Sequence, residues 1–167
     1  NWAGMAIDRE RGIIYVPTGS ATDDFYGGYR IGANLFANTL LALDARTGKR
    51  IWHYQIVHHD VLDRDIPAPP NLVTLRIDGK KVDAVAQITK TGHIFVFNRE
   101  TGEPLFPIDE VPAPPADLEG DETWPTQPVP RLPVPFGRQS FTEEDINPFS
   151  SDRDSLLRTF REARKGF

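Results

Sequence analysis

Three carboxylates and two imidazoles crowd into eight residues, His58-His59-Asp60-Val61-Leu62-Asp63-Arg64-Asp65. Directly after a strand-like stretch, that charge density is costly unless a metal, a cofactor or a substrate proton uses it. Lys90, in Thr89-Lys90-Thr91-Gly92, follows Asp63 by 27 positions and adds a cation to the set. His53, His58, His59 and His93 raise the question of zinc. Adjacent histidines in an extended segment point to opposite faces, and no His-Glu-x-x-His frame is present, so the pattern argues against a zinc centre. His59 and Asp60 are better read as residues that orient the loop presenting Asp63, with Arg64 and Asp65 pairing nearby.

The elements that must carry these residues read as β-structure through the first hundred positions. Ile13–Val16, Thr39–Leu43, Ile51–Ile56, Val82–Ile88 and His93–Phe97 are short, rich in branched and aromatic residues, and bounded by turn formers. Between them stand Asp44-Ala45-Arg46-Thr47-Gly48-Lys49 and Asn98-Arg99-Glu100-Thr101-Gly102-Glu103, each an Asx residue followed by Thr-Gly, as a tight turn with a left-handed glycine requires. Asp8-Arg9-Glu10-Arg11-Gly12 is a weaker third copy. The phrase recurs on the scale of propeller blades, which predicts an antiparallel meander built into a propeller. Most of the 15 prolines fall between Pro104 and Pro135. Proline withholds a backbone donor and favours extended conformations, so this stretch predicts a long ordered excursion or a loose connector, with neither strand nor helix. Beyond it, Thr142 followed by Glu143, Glu144 and Asp145 marks a helix start. Leu156, Leu157 and Phe160 at helical spacing predict a short helix over Ser151–Arg164. The organisation expected is blade strands over 1–106, a proline-rich excursion over 107–140 and a short helical segment over 141–167.

Composition narrows the function. The chain has 167 residues, a net charge of −5 and dispersed basic residues, which disfavours nucleic acid and anionic membrane surfaces as partners. Its apolar runs fall far short of the roughly 20 residues a membrane span needs. The absence of cysteine excludes disulfides and thiolate metal sites and leaves the compartment open. No Gly-x-Gly-x-x-Gly follows any strand, which removes the main signature of a nicotinamide enzyme. The chain begins at Asn1-Trp2 and reads as a segment of a longer protein.

Several of these phrases occur together in one known family. Asn1-Trp2, Asp8, Tyr15 and Thr18-Gly19-Ser20 come first. Ala42-x-Asp44-x-x-Thr47-Gly48-x-x-x-Trp52, His59-Asp60-x-x-Asp63, Lys90 and Thr101-Gly102-Glu103-Pro104-Leu105-Phe106-Pro107 follow. In this order they resemble the middle of pyrroloquinoline-quinone (PQQ) dependent dehydrogenases, and the proline-rich stretch resembles the membrane-type glucose and quinate branch. The resemblance implies an all-β fold, part of an eight-bladed propeller whose tryptophan-docking repeats seat the Trp of one blade against the next. It implies that Trp2 forms the floor under PQQ, that Asp63 is the catalytic base and a Ca²⁺ ligand, and that Lys90 hydrogen-bonds the quinone oxygens. Ser20 stands where the family often has an asparagine that binds Ca²⁺, and Leu62 stands where it usually has tryptophan. The implied partners are an alcohol, sugar or polyol substrate and a quinone or cytochrome acceptor. The implied location is the periplasm, with any membrane anchor supplied by segments outside this chain. Asp23, Asp24 and Tyr26-Gly27-Gly28-Tyr29 are candidates for the substrate mouth. The competing reading is a non-catalytic propeller that uses the same docking repeats as a protein-assembly scaffold, indifferent to Asp63.

Overall fold

The computed structural model describes residues 1–163. Two antiparallel sheets follow one another along the chain. The first has four strands, β1 (Ala6–Asp8), β2 (Ile13–Pro17), β3 (Thr39–Asp44) and β4 (Arg50–Gln55), paired in sequence order. The second has three, β5 (Asn71–Ile77), β6 (Lys80–Ile88) and β7 (Ile94–Asn98), again in order. Both are meanders, as the short branched runs predict. The chain after β7 starts a fourth strand for the second sheet, with Pro104 bridging Phe97 and the Leu105 amide donating to the Val96 carbonyl at 2.9 Å.

The sheets pack through one core. Tyr15, Leu40, Ala42 and Trp52 of the first meet Val85, Phe95 and Phe97 of the second, with Ile56, Val57 and Ile66 from the connecting segment. The turn phrase found in the sequence builds the same cradle each time. Asp44 Oδ1 accepts from the amides of Arg46 and Thr47, Asn98 Oδ1 from those of Glu100 and Thr101, and Asp8 Oδ1 from those of Glu10 and Arg11. The docking contact is visible between the sheets. The Trp52 indole lies against Gly102, where an added Cβ would stand 2.5 Å from Trp52 Cδ2, and its Nε1 donates to the Arg99 carbonyl at 3.1 Å. Gly102 has φ +74, so the turn needs glycine for its backbone and again for the indole it receives. Arg11 ties the same seam by reaching Asp8, Asp83 and Glu100.

The proline-rich stretch departs from the expectation of neither strand nor helix. It forms a two-stranded hairpin, β8 (Ile108–Pro112) with β9 (Thr126–Pro130). Pro112, Pro128 and Pro130 sit opposite Thr126, Glu110 and Ile108, every second rung of the ladder. The bonded rungs beyond the ends are Arg131 with Pro107 and Ala113 with Pro125, which puts each strand proline in a wide pair. There its missing N–H faces outward from a two-stranded ribbon and breaks no ladder bond. Downstream, Thr142 opens a single 3₁₀ turn, Glu143–Asp145, and α1 spans Arg153–Glu162. The helix is thus shorter than the Ser151–Arg164 expected, and positions 164–167 lie outside the described residues. The fork of Arg161 onto Glu143 and the edge-to-face contact of Phe141 with Phe160 fasten the helix to that turn.

Candidate active site

The site grows out of the turn between β4 and β5. Its hub is Asp60, a buried carboxylate whose Oδ1 accepts from the Leu62 amide (3.0 Å) and whose Oδ2 accepts from the Arg64 amide (2.5 Å). The two amides flank residue 63, so Asp60 grips the chain on both sides of Asp63. Asp60 Oδ2 also accepts from Ser20 Oγ and from Asn38 Nδ2, the latter at 3.0 Å. His59 adds a second anchor: its amide donates to the Ala33 carbonyl, and its Nδ1 pairs with the Gly32 carbonyl at 2.6 Å. The backbone folds back at both residues, with φ +44 at His59 and +51 at Asp63, a conformation that Asp tolerates better than most side chains. The segment is therefore a tight turn and not the extended run expected for His58-His59.

Asp63 and Lys90 meet across this turn. Lys90 Nζ donates to Asp63 Oδ2 at 2.9 Å and to the Asp63 carbonyl at 2.7 Å. The ammonium hydrogen bond holds the Asp63 carboxyl below its usual value, and the carboxylate raises that of Lys90 in return. Asp63 is thus ionised at neutral pH, as a base or a hard-cation ligand must be. Trp2 stands on the other side. Its indole is 66% exposed, yet its Nε1 donates to Asp65 Oδ2 at 3.3 Å, while Asp65 Oδ1 accepts from the Ser20 amide at 2.6 Å. A tethered, open aromatic face is what a flat ligand needs for stacking.

Ser20 is brought beside Asp60 and Asp65, but its hydroxyl is already in use. Oγ donates to Asp60 and accepts from Asn38 Nδ2 at 3.1 Å, which leaves one lone pair for a cation. Among the described residues, no group of three or more His, Asp or Glu side chains is arranged to hold a metal. His58 Nε2 lies 3.6 Å from Glu110, His93 pairs with Thr91, and His53 packs edge-on against Phe36, so the histidines are dispersed. Asn38, fully buried and bonded to Ser20, Asp60 and the Arg64 carbonyl, was not singled out from sequence. Its place directly ahead of a strand offered no chemical signal.

An open cleft of about 1180 Å³ lies over Asp63 and Lys90. Leu62 and Arg64 of the turn, Val111 and Val129 of the hairpin, and the segment 138–141 line it with them. Phe25, from the loop expected at the substrate mouth, also lines it. Tyr26 and Gly27 of that loop bond to Glu119 and Asp121 at the hairpin tip.

Two adjoining antiparallel meanders, joined by a Trp on Gly seam, are the arrangement of neighbouring blades in a β-propeller. The family model described as "PQQ: Glucose/ethanol/alcohol dehydrogenase, beta-propeller domain" matches residues 1–166. Quinoprotein glucose dehydrogenase of Escherichia coli is 42% identical over 133 residues, 79% of this chain and 17% of that protein. Quinate/shikimate dehydrogenase (quinone) of Acinetobacter baylyi is 39% identical over 148 residues, 87% of this chain and 18% of its own length. Among solved structures, quinohemoprotein alcohol dehydrogenase from Comamonas testosteroni superposes with a TM-score of 0.59 at 28% identity, covering 78% of this chain and 19% of that one. The chain belongs to the PQQ-dependent dehydrogenase family and forms part of its β-propeller. It spans less than a fifth of the length of these relatives.

Proposed function

We propose that the enzyme of which this chain forms part oxidises an alcohol, sugar or polyol with PQQ and Ca²⁺, and passes the electrons to a quinone or cytochrome in the periplasm. The observation that carries the reading is the Asp63–Lys90 pair at the base of an open cleft, with the Trp2 indole held open by Asp65. The names of the relatives support a small hydroxylated substrate: glucose, quinate or shikimate, and alcohol. The side chains present fit the cofactor. Trp2 offers the stacking surface, Lys90 a hydrogen-bonding cation for quinone oxygens, and Asp63 a carboxylate ionised at neutral pH for a hard divalent ion, with the remaining Ser20 lone pair as a weaker second contact.

Bound together, PQQ supplies the hydride acceptor and Ca²⁺ the Lewis acid. The chain does the rest. Asp63 accepts the substrate hydroxyl proton as hydride leaves the carbinol carbon, so one proton and one hydride depart and a carbonyl forms. Asp60 fixes the orientation of that base through the amides on either side of it. Lys90 keeps Asp63 charged before substrate binds and would offer positive charge to the oxygens of a bound quinone. The test is dye-linked oxidation by the full-length protein with and without PQQ and Ca²⁺, on a panel of alcohols, sugars and polyols. Turnover that requires both cofactors supports the reading. No PQQ binding and no turnover would leave the scaffold propeller as the better account.

A further inference from the structure

The hairpin of the proline-rich excursion reaches the site through one side chain. Gln127, the second residue of β9 and buried, lies against the main chain of His58 with both ends of its amide. Its Oε1 accepts from the His58 amide at 2.9 Å, and its Nε2 donates to the His58 carbonyl at 2.6 Å. A carboxamide that takes both groups of one residue acts as a rung of β-ladder made by a side chain. It fixes position and orientation together, which a single hydrogen bond does not. His58 is the residue that enters the turn. The next two, His59 and Asp60, are the ones pinned to Gly32 and to the amides flanking Asp63. Across the ladder Gln127 faces Val111, and Val111 with Val129 walls the cleft over Asp63.

We propose that Gln127 is a positioning residue for the oxidation, locking the hairpin wall of the cleft to the turn that presents Asp63. The substrate is then held between a base and a wall that share one rigid connection. This assignment rests on the reading under Proposed function. It also accounts for a polar, buried glutamine opposite Val111 in the proline-rich hairpin: an unpaired amide there would be costly, and the partner that satisfies it is the turn that presents Asp63.

The test uses the full-length holoenzyme and Gln127→Met, which keeps length and removes both hydrogen bonds. Two readouts are taken. Hydrogen exchange of the Leu62 and Arg64 amides reports the turn whether or not the protein turns over substrate, and steady-state kinetics report the chemistry. The expected result is exchange accelerated at least tenfold at those amides. It should come with kcat lowered by roughly tenfold, short of the roughly hundredfold that a full 1 Å misplacement can cost, while KM and the Kd for PQQ stay within twofold. Gln127→Glu retains the acceptor for the His58 amide and is expected to fall between wild type and Gln127→Met; it carries the test if the Met variant does not fold. Unchanged exchange, or faster exchange with kcat within twofold of wild type, overturns the assignment. Wild-type protein that neither binds PQQ nor turns over, with exchange still dependent on Gln127, would refute the oxidation reading and leave Gln127 as a purely structural clamp, which also overturns the positioning role.

Discussion

Replacing Gly102 by alanine tests the seam between the blades, because two separable costs meet at that residue. The first is backbone: at φ +74 a Cβ costs about 1 kcal/mol. The second is the indole. The new Cβ would lie 2.5, 2.7 and 2.8 Å from Trp52 Cδ2, Cγ and Cε3, far inside contact distance, and the ring is hemmed by Tyr15 and Phe97 at centroid distances of 5.9 Å. Displacing a packed ring of this kind costs about 1–3 kcal/mol, so Gly102→Ala is expected to destabilise by about 2–4 kcal/mol. Trp52→Ala alone is expected to cost about 3–5 kcal/mol through the cavity it leaves. The Arg99 carbonyl loses the indole donor but keeps the Tyr15 hydroxyl at 2.8 Å, which limits the polar part of that loss. In a Trp52→Ala background the alanine at 102 meets empty space, and only the backbone cost of about 1 kcal/mol remains. The double variant should therefore be more stable than the sum of the singles by about 1–3 kcal/mol. Denaturant midpoints of the full-length protein, read at constant m, give the four corners of the cycle. Additivity within about 0.5 kcal/mol would refute the docking of Trp52 on Gly102.

Other expectations concern the site and its supports. Trp2→Ala should weaken PQQ binding about tenfold, from lost stacking of ~1.5 kcal/mol, and leave the melting temperature nearly unchanged because the ring is mostly exposed; fluorescence titration and a thermal melt check both halves. Asp60→Ala leaves the Leu62 and Arg64 amides and the Ser20 hydroxyl without the acceptor they share, and should cost about 3 kcal/mol or more, with activity lost even where the fold survives. Burial pushes the Asp8 carboxyl up, but the Arg11 amide and the Arg99 and Arg11 guanidinium groups outweigh it and hold the group below its ordinary 3.8. A carboxyl depressed in the folded state contributes stability that is complete above 3.8 and is lost as pH falls through the lower folded value. Asp8→Asn should therefore flatten the stability profile below about pH 4 and lower stability at neutral pH, which denaturation from pH 3 to 7 would show.

How much of this was legible in the sequence follows from which interactions are local. The Asx–Thr–Gly turns could be read because Asp44 and Asn98 bond amides two and three residues ahead. Alternating branched residues marked β2, β3, β4, β6 and β7. Strand β5 was missed because Asn71–Ile77 is half-exposed and its pairing depends on β6. The hairpin was missed because proline was read as a breaker. The period of two at Pro128 and Pro130, which keeps missing donors on the outer edge, was the available signal. Asp63 and Lys90 were found through family resemblance, and the structure brings them into contact. Asn38 and Gln127 were not found. One bonds residues 18 to 26 positions away and the other reaches back 69, and neither distance leaves a mark on local pattern.

The central claim is that Asp63 is the base of a PQQ-dependent oxidation, and the most direct measurement compares Asp63→Asn with wild type in the full-length protein. Asparagine tolerates the left-handed backbone at φ +51, so the turn is preserved while the proton acceptor is removed. The account predicts that the variant still binds PQQ, through Trp2 and Lys90, and loses at least a hundredfold in kcat, the low end of what a positioned general base contributes. A variant that binds PQQ and oxidises substrate at a rate near that of the wild type would contradict it.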